Sequence, residues 1–140
     1  MKIVFIGNIY FSYILLKAIF LFNSKLIKGV ITNNNKKKSD YFDLKKFCKK
    51  KKIEYMISND INSKTSEHWI KKKNPDLICC FGWSELLKKR ILNIAKIGSI
   101  GYHPTNLPHN RGRHPIIWTL VLGIKTTYSS FFFMSEKADF

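Results

Sequence analysis

The sequence predicts an α/β fold, a single doubly wound and mostly parallel sheet with helices on both faces. Three observations carry this. Short apolar runs of strand length alternate with longer segments of helix length from one end of the chain to the other. The run at 77–81, Leu-Ile-Cys-Cys-Phe, holds no polar residue, as a strand covered on both faces requires. Gly, Asn and Pro fall between the runs, where the chain must turn. With 140 residues, 45% of them hydrophobic, the chain can bury one ordinary core, and it reads as one domain over residues 1–140.

The elements follow in order. Residues 3–6 form a short apolar strand that ends at Gly7, and 10–22 carry apolar residues too densely for a two-faced strand, at a length that suits a helix. A second strand over 26–32 closes at the turn cluster Asn33-Asn34-Asn35. Residues 41–52 predict a helix with a Lys-rich outer face, 53–57 a third strand, and 62–73 a helix with Trp69 and Ile70 inward. Lys71, Lys72 and Lys73 end that helix, where its dipole favours cations, and Asn74-Pro75 stops it. After the strand at 77–81, Ser84 is placed to cap a helix over 85–94. Residues 97–103 make a fifth strand. Pro115 fits the first turn of a helix to Leu122, with Gly123 as its stop, and 126–134 are β-branched and aromatic, a sixth strand.

The net charge is +16, yet of the 25 basic residues only Arg90, Arg111 and Arg113 are arginine. Lys, Asn, Ile, Phe and Tyr are all abundant, the pattern of a compositional bias and a solvated surface more than of a dedicated phosphate-binding face. Cys48, Cys79 and Cys80 make no C-x-x-C pair and no metal spacing with His68, His103, His109 or His114, so no metal site is predicted. They read as buried thiols of a reducing compartment. The first apolar run is too short for a secretion signal, and no run reaches the roughly 20 apolar residues of a membrane span. A cytoplasmic location without membrane contact is the expectation. The first strand–helix turn, Gly7-Asn8-Ile9-Tyr10-Phe11-Ser12, lacks the glycine pattern of dinucleotide and nucleoside-triphosphate loops.

The segment after the fifth strand is where chemistry concentrates. His103 stands at that strand's end, where ligands of open α/β sheets sit. Pro104, Pro108 and Gly112 stiffen or turn the following loop. In so Lys-rich a chain, Arg111 and Arg113 two residues apart suggest bidentate anion recognition, or pairing with carboxylates such as Glu136 or Asp139.

The run His103-Pro-Thr-Asn-Leu-Pro followed by Arg111-Gly-Arg-His-Pro-Ile-Ile-Trp118, with Ala138-Asp139 one strand further on, resembles the active-site signature of the folate-dependent formyltransferases. The likeness extends over most of the chain and is closest to branches that act on amino groups of nucleotide-linked sugars. It implies transfer of formyl from 10-formyltetrahydrofolate to a primary amine, with His103 and Asp139 catalytic. Main chain around Glu85, Leu86 and Leu87 would face the pterin, and Arg113 with Ser135, Glu136, Lys137 and Ala138 would complete the donor site. Attack of an amine on the formyl carbon gives an oxyanion that a protonated His103 could stabilise, an effect worth ~3–4 kcal/mol for one good donor. Asp139 could keep the imidazole protonated and help remove the amine proton.

The chain departs from the family pattern at three points. Gly101 stands where the family has a catalytic Asn, two residues before the His, and Asn106 or Asn110 is a possible substitute. Thr127-Tyr128 replaces a Thr-Gly pair. Phe140 ends the chain one residue after Asp139, whereas relatives continue through a further strand and helix, so an incomplete, truncated catalytic domain is expected. Two other functions stay open: formylation of initiator Met-tRNA, with tRNA as partner, and a non-catalytic remnant that binds folate or a nucleotide sugar. The oligomeric state is not legible in the sequence.

Overall fold

The computed structural model describes residues 1–37, 39–103 and 129–136. Along the chain these form β1 (Ile3–Ile6), α1 (Tyr10–Phe22), a 3-10 turn (Ser24–Leu26), β2 (Ile27–Thr32), α2 (Leu44–Lys51) and β3 (Tyr55–Ile57). Then come α3 (Lys64–Lys73), β4 (Leu77–Cys80), α4 (Lys89–Leu92), β5 (Gly98–His103) and β6 (Ser130–Phe133). The helix expected over 115–122 lies outside the described residues.

The strands lie in one six-stranded sheet of order β3-β2-β1-β4-β5-β6, parallel from β3 to β5, with β6 antiparallel to β5. Alternation along the strands divides the core in two. Val4, Ile6, Ile31, Ile78 and Cys80 face α3 and α4 and pack with Ile70, Leu87, Ile91 and Leu92. Ile3, Phe5, Val30, Cys79 and Phe81 face α1 and α2 and pack with Leu16, Leu44, Phe47 and Cys48. Every strand residue from Ile3 to Ile6 is buried, which is why the apolar runs show no polar alternation. The expected doubly wound architecture is the observed one, and the order of strands reverses between β1 and β4.

Local chemistry explains the helix ends. Asp43 accepts a hydrogen bond from the Lys45 N–H at 3.0 Å and opens α2 three residues later than the sequence suggests. Ser63 accepts from the Ser66 N–H at 3.1 Å and opens α3. Lys52 (φ 58°) and Asn74 (φ 48°) end these helices in the left-handed conformation, so Asn74 stops α3 as expected. Gly29 is bare because the Trp69 ring of α3 lies on it: a Cβ there would meet Trp69 Cη2 at 2.5 Å.

One element differs substantially. The helix expected over 85–94 with Ser84 as cap is reduced to α4, and Lys88 holds the cap position. Residues 81–88 are irregular. Their polar groups bond across to the turn before α3 in place of a helical ladder, as described below.

Candidate active site at the carboxyl edge of the sheet

His103 is the last residue of β5 and is 5% exposed. Side chains of a strand alternate between faces, and in β5 Ser99, Gly101 and His103 are buried while Ile100 and Tyr102 are half-buried on the other face. Ser99 Oγ donates to the Leu92 carbonyl of α4 at 3.4 Å, so His103 shares the face covered by α4. Cys80, the end of β4, pairs with Gly101. His103 therefore stands two residues beyond that level, beside the loop that leaves β4. The carboxyl ends of parallel strands, next to the strand-order reversal, are where ligands of such sheets bind.

The loop at 81–88 is held from one side. Glu85 Oε1 accepts from the Ile61 N–H at 2.9 Å, and the Asn62 side chain donates to the Leu86 carbonyl at 2.9 Å. The same side chain accepts from the Lys88 N–H at 2.7 Å. Leu87 is 2% exposed within the α3–α4 core, whereas Leu86 is 57% exposed. The side chains of Glu85 and Leu87 are thus committed to the protein, which leaves main chain and Leu86 for a ligand. Gly82 (φ +75°) allows the turn out of β4, since its Cβ position is taken by Ile9 and Ser12.

Among the described residues, three buried side-chain polar atoms have no partner: Trp83 Nε1 in this loop, Asn8 Oδ1 after β1 and Thr32 Oγ1 at the end of β2. All three stand at the carboxyl edge of the sheet. The Asn8 amide is oriented by its neighbours. Asn33 Oδ1 accepts from the Asn35 N–H at 3.0 Å, so Asn8 must present Nδ2 to it, at 2.9 Å, and turn Oδ1 away. Nothing in the residue types singled out these positions; only their meeting at one edge does. A buried polar atom without a partner is costly and marks a place where a ligand or water completes the bonding.

Position 101 is closed by its neighbours. A Cβ there would meet Phe132 Cζ at 2.9 Å and Met134 Cγ at 3.1 Å, so β6 fills the space an asparagine would need. Ser135 and Glu136 are exposed and follow β6. Because β6 runs antiparallel and the Met134 N–H bonds the Ser99 carbonyl at 2.7 Å, they emerge near the start of β5. That is four residues back from His103, roughly 13 Å along the strand. Arg111, Arg113, Asn106, Asn110, Lys137, Ala138 and Asp139 lie outside the described residues.

Burial pushes the Cys79 and Cys80 thiols up to about 12, and a neighbouring thiol and Glu85 add to the effect at Cys80. Such thiols stay protonated and do not serve as nucleophiles. Among the described residues no group of three or more His, Cys, Asp or Glu is arranged to hold a metal ion. No helix among them is long and apolar enough to cross a membrane.

The chain is similar to known proteins over its whole length. The bifunctional polymyxin resistance protein ArnA of Wigglesworthia glossinidia brevipalpis is 30% identical over 141 residues, covering 99% of this chain and 22% of that protein. A methionyl-tRNA formyltransferase of Clostridioides difficile (strain 630) is 33% identical over 147 residues, covering 99% of this chain and 46% of the relative. The chain thus spans less than half the length of either. The crystal structure of phosphoribosylglycinamide formyltransferase from Bacillus halodurans superposes with a TM-score of 0.80 at 16% identity, over 100% of this chain and 75% of that one. A family described as formyl transferase matches residues 1–140 in full, and this chain belongs to it.

Proposed function

We propose that this chain carries donor-binding and catalytic groups of an enzyme that moves formyl from 10-formyltetrahydrofolate to the amine of a nucleotide-linked amino sugar. The observation that carries the reading is the placement of His103, buried at the end of β5 on the face it shares with the irregular loop leaving β4. The unpartnered Trp83 N–H in that loop is a donor available to a bound ligand. The sugar acceptor is favoured by the sequence of the loop that follows His103.

In this reaction the neutral amine attacks the formyl carbon and its carbonyl electrons move to oxygen. The His103 imidazole donates a hydrogen bond to that oxygen. The attacking nitrogen loses a proton to Asp139, the bond from the formyl carbon to N10 of the folate breaks, and N10 takes up a proton as tetrahydrofolate leaves. Electrostatic stabilisation of the oxyanion and proton transfer together contribute several orders of magnitude in rate. No change of oxidation state occurs.

The test is titration of the protein with 10-formyldideazafolate, a stable donor analogue, following fluorescence from Trp69, Trp83 and Trp118. Saturable quenching is expected, and an unchanged signal from the folded protein would overturn the donor assignment. His103→Ala is expected to abolish formyl transfer with an intact fold and a donor affinity close to that of the parent. A variant that turns over near the parental rate would remove His103 from the mechanism.

A further inference from the structure

We propose that Asn62 is a positioning residue of the donor pocket, which fixes the main chain of residues 86–88 through both ends of its amide. The inference rests on the reading of that loop as the donor site. Asn62 is 8% exposed and belongs to the turn between β3 and α3, not to the loop it holds. Its Nδ2 donates to the Leu86 carbonyl at 2.9 Å, and its Oδ1 accepts from the Lys88 N–H at 2.7 Å. The two bonds span one residue, Leu87, so they set the direction of the peptide groups on both sides of it.

The turn that carries Asn62 is itself held rigidly. The Asn62 N–H donates to Asp60 Oδ1 at 3.0 Å, and Ser66 Oγ donates to the Asp60 carbonyl at 3.1 Å. The Asn62 carbonyl accepts from Arg90 Nη2 at 2.8 Å, while Arg90 Nη1 reaches Glu67 at 2.9 Å. Glu85 closes the bracket from the loop side through the Ile61 N–H. The loop has no helical ladder of its own, so its backbone direction depends on these cross-links. A planar amide donates to one peptide and accepts from another through two atoms held apart in one plane and so fixes both, which an ionised carboxylate, an acceptor only, cannot do. A pocket whose ligand contacts are main chain needs such support, because a shift of about 1 Å in a binding group is costly.

Three variants decide the matter by titration with 10-formyldideazafolate. Asn62→Leu keeps the branching at Cγ and removes both bonds. Asn62→Asp keeps the acceptor for Lys88 and loses the donor to Leu86. Ile70→Val, a truncation in the core beneath α3, is the control for a general loss of stability. Donor affinity is expected to fall about tenfold in Asn62→Leu and by a smaller factor in Asn62→Asp, with the Ile70→Val protein within about twofold of the parent. In steady-state assays the effect should appear in KM for the donor and leave kcat within a small factor.

If the parent binds the analogue and Asn62→Leu binds it equally well, the positioning role is wrong while the donor reading stands. Equal weakening by Ile70→Val would likewise overturn it, since the effect would then be one of stability. If Asn62→Leu does not fold, Asn62→Asp decides, and unchanged affinity there overturns the proposal. A folded parent that never saturates removes the donor reading, and this inference with it.

Discussion

Gly101 shows how a single residue here answers to its neighbours more than to its own strand. A missing side chain is a liability in a strand interior, yet Phe132 of β6 and Met134 just after it fill the space that the glycine leaves. Adding even one methyl group puts it 2.9 Å from Phe132 Cζ. Gly101→Ala is therefore expected to destabilise the fold by about 1–3 kcal/mol, as overpacking does, measured by urea unfolding. Coupling it to Phe132→Leu should recover part of that loss, and failure to recover any would show that the ring does not set the constraint. His103 two residues on stood out as a candidate because polar groups at the ends of apolar strands are conspicuous in sequence. Asn62, Asn8, Thr32 and Trp83 were not, because each is an ordinary residue until the fold brings its partner or lack of partner into view.

Among the elements, β4 was read most directly. Its four residues are apolar and sit centrally, paired on both sides by β1 and β5. The same burial holds the Cys79 and Cys80 thiols at about 12, against an ordinary value of 9.0. A pKa raised on folding contributes stability that is complete below the unfolded value and is lost as pH rises towards the folded one. Stability should therefore fall between about pH 9 and pH 12 as the unfolded chain's thiols ionise. The doubly substituted Cys79→Val, Cys80→Ala protein should show a shallower fall in urea midpoint across that range. An identical pH profile in the two proteins would mean that other groups govern alkaline unfolding. The segment after β4 was read least well, since Ser84 and the apolar residues that follow fit a helix pattern, while Asn62 and Ile61 claim the polar groups of residues 85–88.

For the molecule as a whole, two of the lysine runs lie away from His103. In a parallel α/β unit each helix runs against its flanking strands, so the carboxyl ends of α2 and α3 lie at the edge opposite His103. Those ends carry Lys49, Lys50 and Lys51, and Lys71, Lys72 and Lys73. Lys71 pairs with Glu67 and Lys73 with Glu54, which leaves the α2 group as the more open charge. Replacing Lys49, Lys50 and Lys51 by Glu is expected to leave donor affinity within about twofold and to weaken low-salt RNA retention, with a shallower salt dependence. A large rise in KM for an acceptor RNA would instead favour initiator tRNA as the substrate.

The sequence alone determined the architecture, because six apolar runs interleaved with helix-length segments admit few arrangements other than a doubly wound sheet. It also determined the family, through the loop around His103. The burial that makes such strands is a property of each run, so it survives in one dimension. Only the tertiary structure decided the orientation of β6, the filling of position 101 and the irregular course of residues 81–88. Each of these depends on groups far apart in the chain, and a hydrogen bond or a ring contact made across such a distance leaves no periodic trace in the sequence.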